Sequence, residues 1–147
     1  GIHYTGWQRG TYPTADTARS IFDAGTLYVG VDETGSVWGS MNLNGQQLPE
    51  YQNGAWTISA EDRQVAIIHT LTIDPARAGQ GLARQMVAFA EDTARRQGKT
   101  VLRLDTGTEN LPANRMYPAL GYKAAGTVDT FFMGYAQRPL NLYEKKL

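Results

Sequence analysis

The sequence predicts an α/β fold, a mixed sheet with helices packed on it, and three stretches carry that prediction. The run "QVAIIHTLTID", Gln64 to Asp74, is apolar and β-branched, with Val65, Ile67, His69, Leu71 and Ile73 expected on one face and Ala66, Ile68, Thr70 and Thr72 on the other. A glycine-rich turn follows, then Leu82, Met86, Phe89 and Ala90 at helical spacing up to Gly98, then a second strand-like run, "TVLRLDT". Strand, helix and strand in that order imply a right-handed crossover and parallel pairing. The stretch "TLYVGVDETGSVWGSMNLN" instead reads as a hairpin around Glu33, Thr34 and Gly35, so antiparallel pairing is expected elsewhere in the same sheet.

The remaining elements follow local signals. "YPTADTARSIFDAG" reads as a short helix: Thr14 caps it, Asp16 sits in its first turn, Ile21 and Phe22 are expected to face inward, and Gly25 ends it. Gly45 to Arg63 shows no sustained period and is expected to be a long loop, of a length that often carries function. "PANRMYPALGY" reads as a second short helix, with Pro112 in its first turn, Gly121 past its end, and Pro118 expected to bend it or stop it early. One or two strands should follow, the last being "LNLYEKKL".

The chain has 147 residues, which fits a single domain. Its 14 basic and 14 acidic side chains cancel, so no global field argues for nucleic acid or an anionic membrane as a partner. No apolar run approaches the roughly 20 residues of a membrane span, and the first ten residues lack the apolar core of a signal peptide. The absence of cysteine removes disulfides, zinc–thiolate sites and thiol nucleophiles together, and a cytoplasmic location is expected. No metal site is expected.

The turn "RAGQGLA" raises the functional question. A strand, a glycine-rich turn and a helix start together make an anion site, because the first amides of a helix have no partner within it and the helix dipole favours negative charge there. Nucleoside triphosphates, dinucleotides and coenzyme A all need such a site. A P-loop requires Gly-Lys-Ser/Thr, but Leu82 follows the second glycine. A dinucleotide fingerprint requires a third glycine where Arg84 stands and an acid some twenty residues later, which Asp105 supplies. A tight turn that binds nothing is the bland alternative.

Two motifs taken together resemble the Gcn5-related N-acetyltransferase superfamily. The first, commonly Gln/Arg-x-x-Gly-x-Gly/Ala, corresponds to Ala78, Gly79, Gln80, Gly81, Leu82 and Ala83, with Ala78 where the family usually carries Gln or Arg and Arg77 adjacent. The second, commonly Asn-x-x-Ala-x-x-x-Tyr followed by Gly-Phe/Tyr, corresponds to Asn110, Ala113, Tyr117, Gly121 and Tyr122. The resemblance runs from about Leu27 to the C-terminus. It implies a mostly antiparallel sheet whose central parallel pair, His69–Ile73 and Val101–Thr106, splays around acetyl-CoA, with helices on both faces. It also implies a first strand and helix before "YPTADTARSIF", so the given chain is expected to lack residues at its start.

By the same resemblance, the pyrophosphate sits on the amides of Gly79 to Ala83, and the pantetheine pairs with the backbone around Leu71 and Ile73. The Leu71 N–H polarises the thioester carbonyl, and Asn110 touches the cofactor arm. Tyr117 hydrogen-bonds the departing thiolate; full proton transfer costs roughly 2 kcal/mol at reference pKa values. Relatives often carry a glutamate base where this chain has Ile67, which leaves His69 as the nearest titratable group on that face. Glu50, Glu61 and Asp62 in the long loop are candidates to charge an amine pocket. Tyr51 and Trp56 either line that pocket or pin the loop to the core.

The expected activity is transfer of an acetyl group from acetyl-CoA, the co-substrate, to a primary amine of a small molecule or peptide by direct attack, by a monomer or a homodimer. The rival readings are a non-catalytic acyl-CoA-binding module and a dinucleotide-binding oxidoreductase.

Overall fold

The computed structural model describes Trp7, residues 11–130 and residues 138–147. The first strand and helix that the resemblance implies before "YPTADTARSIF" fall outside the described residues.

Among the described residues, three helices and six strands form one layered unit: α1 (Ala15–Asp23), β1 (Leu27–Val31), β2 (Val37–Asn44), β3 (Val65–Ile73), α2 (Leu82–Arg96), β4 (Val101–Gly107), α3 (Leu111–Ala119), β5 (Lys123–Thr130) and β6 (Arg138–Lys146). The strands form one sheet in the order β1-β2-β3-β4-β6-β5. Of these strands β3 and β4 pair in parallel, and the other neighbours among the described residues are antiparallel.

Two apolar clusters sandwich the sheet. Met41, Leu43, Ala66, Ile68, Leu102 and Leu104 meet α2 and α3 on one face, where Met86, Val87 and Ala90 pack with Tyr117. Val65, Ile67, Val101 and Leu142 meet Tyr51 and Trp56 of the 45–63 loop on the other. Trp56 Nε1 donates to the Tyr51 carbonyl (2.7 Å), and buried Glu144 Oε1 accepts from the Thr57 and Ile58 amides and the Thr57 hydroxyl. The loop is thus pinned to the core and carries two short 3-10 turns, Pro49–Asn53 and Asp62–Gln64. The hairpin turn is closed by Asp32, whose carboxylate accepts from the Thr34 amide and hydroxyl and the Ser36 amide.

Four expectations are corrected. Phe22 does not face inward: it is 69% exposed, on a helix that buries none of its residues fully. Phe89 is also turned out of the core and sits edge-on to Tyr28 at 5.6 Å, so the buried face of α2 runs through Met86, Val87, Ala90 and Ala94. Pro118 does not end α3 early. The helix continues to Ala119, since a proline one residue from the end forgoes a single helical bond, and the Leu120 amide turns back to the Met116 and Tyr117 carbonyls.

The fourth correction concerns β3. Its alternation is interrupted: Asn42 pairs with His69 and Ser40 with Thr72, so β3 spends three steps against two of β2. The surplus residue is accommodated at Thr70, whose φ is +47°. This is a β-bulge, and it reverses the strand's facing. Val65, Ile67 and His69 share the loop-side face, whereas Leu71 packs against the α2 cluster and the Ile73 side chain comes within reach of Met86 beside Gly39. Leu71 and Ile73 therefore do not share a face with His69.

Candidate active site

The parallel pairing of β3 with β4 begins at Val65 and Val101 and ends at Ile68 and Leu104, although β3 runs on to Ile73 and β4 to Gly107. Beyond that last rung the strands part. Leu71 has no ladder partner on either side, being skipped by β2 and past the end of the β4 pairing. The splay thus leaves, in the middle of the sheet, a stretch of strand past the last rung of the parallel ladder, the kind of edge onto which an extended chain adds.

The glycine turn stands at the exit of β3. Asp74 accepts from the Ala76 amide and opens a short 3-10 turn, Pro75–Arg77, and α2 starts after Gly81. Gly79 and Gly81 have φ of +79° and +73°, and a Cβ on either would meet nothing within 4 Å. Both glycines are demanded by backbone conformation, and the space before them is open. That space is one wall of a cleft of about 610 Å³ between the turn and α3, lined by Ile73, Ala78, Leu82 and Ala83 on one side and Pro112 and Met116 on the other. Gln80 is exposed and is not part of this lining.

Arg77 borders the cleft, but its guanidinium is committed: Nη2 bonds Asp32 Oδ2 at 2.8 Å, and Nε lies 3.8 Å from Asp74 Oδ2. The contacts with Thr34 and then Arg77 hold the Asp32 carboxyl well below its usual range. The cations free to meet an anion are Arg84 and Arg115, which flank the cleft from α2 and α3 and form no ion pair among the described residues. Sequence reasoning passed over both, since an arginine on a helix reads as a solvated one.

Asn110 caps α3 by accepting from the Ala113 amide and donates to Thr106 Oγ1. Asn114 anchors the same helix: its Nδ2 points at the Gly107, Thr108 and Asn110 carbonyls, and its Oδ1 accepts from Asn141 and the Tyr143 hydroxyl. These bonds fix α3 to the end of β4 and so fix Tyr117. The Tyr117 ring is 5% exposed, between Tyr122 and Tyr143 at centroid distances of 5.6 and 5.7 Å. Its hydroxyl has no hydrogen-bond partner among the described residues. Burial, and then the nearby Asp105 carboxylate, push its pKa up.

On the opposite face, a smaller cavity of about 250 Å³ opens between α1 and the sheet, lined by Tyr12, Ile21, Asn42, Asn44, Gln47 and His69 among others. His69 Nε2 lies 2.9 Å from Asn44 Oδ1 and 3.0 Å from the Gln46 carbonyl, so Nε2 is the protonated nitrogen and Nδ1 keeps its lone pair. Burial lowers the imidazole pKa, against the Gln46 contact. The Asn42 Oδ1 is enclosed and has no hydrogen-bond partner among the described residues. Of the loop carboxylates, Glu61 is exposed and paired with Arg63, Asp62 accepts from Gln47, and Glu50 accepts from the Thr130 hydroxyl. Asp105 does not border the glycine-turn cleft, where a dinucleotide reading would need it; its Oδ2 accepts from the Tyr51 hydroxyl at 2.7 Å.

A sheet parted at one parallel pair, with a glycine turn and helix start at the parting, is the arrangement that the acetyltransferase resemblance implies. The chain matches the Acetyltransferase (GNAT) family over residues 2–122 and belongs to it. It is 32% identical over 68 residues to an uncharacterized N-acetyltransferase of Methanocaldococcus jannaschii (46% of this chain, 30% of that protein). It is 33% identical over 76 residues to human N-acetyltransferase 8 (52% and 32%). These matches span about a third of those relatives' lengths. Among solved structures, the acetyltransferase yncA of Salmonella typhimurium with its cofactor acetyl-CoA superposes with a TM-score of 0.68 at 20% identity, covering 92% of this chain and 75% of that one. An acetyltransferase of Staphylococcus aureus Mu50 gives 0.69 at 20% identity, covering 92% and 81%. Among the described residues, no helix is long and apolar enough to cross a membrane.

Proposed function

We propose that this chain transfers the acetyl group of acetyl-CoA to a primary amine by direct attack. The observation that carries the reading is the coincidence of the β3/β4 splay with the open glycine turn at its end, in a chain of this family. The pyrophosphate is read onto the amides of Gly79 to Ala83, with Arg84 and Arg115 supplying charge from the flanks. The pantetheine arm passes along Ile73 and the apolar side chains of Pro112 and Met116 toward Leu71, below the Asn110 cap.

The chemistry then falls to the chain's own groups. The Leu71 N–H, at a position that neither ladder pairs, donates to the thioester oxygen as charge grows on it. Tyr117, with an unpaired hydroxyl, donates to the sulfur as the C–S bond breaks. Its raised pKa favours a strong hydrogen bond over early proton loss. The amine enters from the loop-side face, where the His69 Nδ1 lone pair accepts one of its N–H bonds.

Two measurements test this. Thermal shift with acetyl-CoA, NAD and NADP should single out acetyl-CoA, since a ligand at 100 times its Kd stabilises by about 2.7 kcal/mol. Thiol release in the presence of an amine panel should exceed release without amine. Binding without amine-dependent release would instead describe an acyl-CoA-binding module.

A further inference from the structure

Beyond the last paired rung, Ile68 with Leu104, the next residues of the two strands are His69 and Asp105. Ile67 and His69 lie on the loop-side face of β3, and Asp105 reaches Tyr51 on that same face of β4. The two side chains therefore flank the mouth of the splay. Asp105 is surrounded from three further elements. Tyr51 donates to it from the loop and Glu50 lies in range beside Tyr51; Tyr117 on α3 and Tyr12, which also lines the small cavity, both feel its charge. Its charge thus reaches both the residue assigned to the sulfur and a residue that lines the cavity beside His69.

We propose that Asp105, held by Tyr51, receives the amine: its carboxylate pairs with the ammonium at the splay and takes the proton that must leave nitrogen before attack. The inference rests on the acetyltransferase reading above. Sequence reasoning gives this proton to His69, but a neutral imidazole offers no charge to an ammonium. Burial also pushes the Asp105 carboxyl up, against the Tyr51 bond, which makes it a stronger base than an ordinary carboxylate.

The protons balance. Asp105 takes one proton from R–NH3+, and the neutral nitrogen forms the N–C bond. The C–S bond breaks, and the thiolate takes a proton from Tyr117. The second nitrogen proton restores Tyr117, and Asp105 releases its own to solvent. The pairing also favours amines that carry no carboxylate next to nitrogen, since such a carboxylate would face Asp105.

The test compares glycinamide, an ammonium at pH 7, with aminoacetonitrile, already neutral there. Asp105→Asn should lower kcat/KM for glycinamide at least ~100-fold, the scale of general-base catalysis, and for aminoacetonitrile far less, with unchanged acetyl-CoA affinity by calorimetry. Equal losses on both amines, or full activity on glycinamide, overturn the inference. Tyr51→Phe keeps the ring's packing and removes a bond that stabilises the carboxylate. It should move the acid limb of the kcat/KM profile to higher pH, and an unmoved limb overturns the inference as well. If the parent releases thiol with no amine of a broad panel, the acetyltransferase reading itself fails; an active parent indifferent to Asp105→Asn refutes only this step.

Discussion

The Tyr51 hydroxyl donates to Asp105 Oδ2 at 2.7 Å, joining a loop without periodicity to the strand residue at which the sheet begins to part. Tyr51 is 2% exposed and tilted against Trp56, over which the Arg103 guanidinium stacks at 4.2 Å. The loop is therefore a built wall beside the parting strands, and its aromatic residues hold it to the core.

Gly81→Asp should abolish acetyl-CoA binding while Gly81→Asn retains part of it. Both side chains are of one size and tolerate the left-handed backbone that φ +73° demands, and both meet open space. They differ in charge, and a carboxylate at the pyrophosphate position repels the ligand. Calorimetry on the two variants reads the difference; equal affinities would mean that this turn does not hold the phosphates.

Tyr117→Phe should lower kcat well over tenfold with little change in the KM for acetyl-CoA, because the hydroxyl acts mainly as thiolate charge develops. The fold should survive, since the ring's contacts with Tyr122 and Tyr143 do not involve the hydroxyl. Undiminished kcat would make Tyr117 a core residue only.

Most elements were legible because their signals are local. The hairpin, the α2 caps, the Thr14 cap and the helical start after the glycine turn all follow from residues within a few positions. The bulge at Thr70 was not: a β-branched residue at φ +47° has no sequence signature, and it alone reversed the facing of Leu71 and Ile73. Asp105 was visible only as a strand-end acid, since its partner lies 54 residues away in a segment with no period. Adjacency to the motif points to Arg77 and not to Arg84 or Arg115; the Asp32 contact that occupies Arg77 comes from a distant hairpin.

His69→Gln should raise the KM for the amine while leaving the acid limb of the rate profile in place, because Gln can still donate to Asn44 and Gln46 but offers no imidazole lone pair. The variant should also change the acid stability of the fold. Burial holds the folded imidazole pKa below its unfolded value near 6.5. The unfolded chain therefore binds a proton first, and the parent loses stability as pH falls through that value toward the lower folded one. Urea midpoints at pH 7 and pH 5 should converge more closely in His69→Gln than in the parent. A shifted acid limb would instead return the proton transfer to His69.

Asp105→Asn should stabilise the protein at neutral pH. The folded carboxyl has its pKa raised, by burial first, so the folded state binds this proton more readily than the unfolded one. That advantage is present below the unfolded value near 3.9 and is lost as pH rises through the folded value, where an ionised carboxylate must be held in a crowded site. An asparagine carries no such charge, and its Oδ1 still accepts from Tyr51. The thermal midpoint of the variant should exceed that of the parent at pH 7, and the gap should close toward pH 3. A lower midpoint at pH 7 would mean that Asp105 stabilises the fold as an ion, and the argument from burial would be wrong. A higher one, together with the loss on glycinamide, would identify a carboxylate kept at the splay against the stability of the fold.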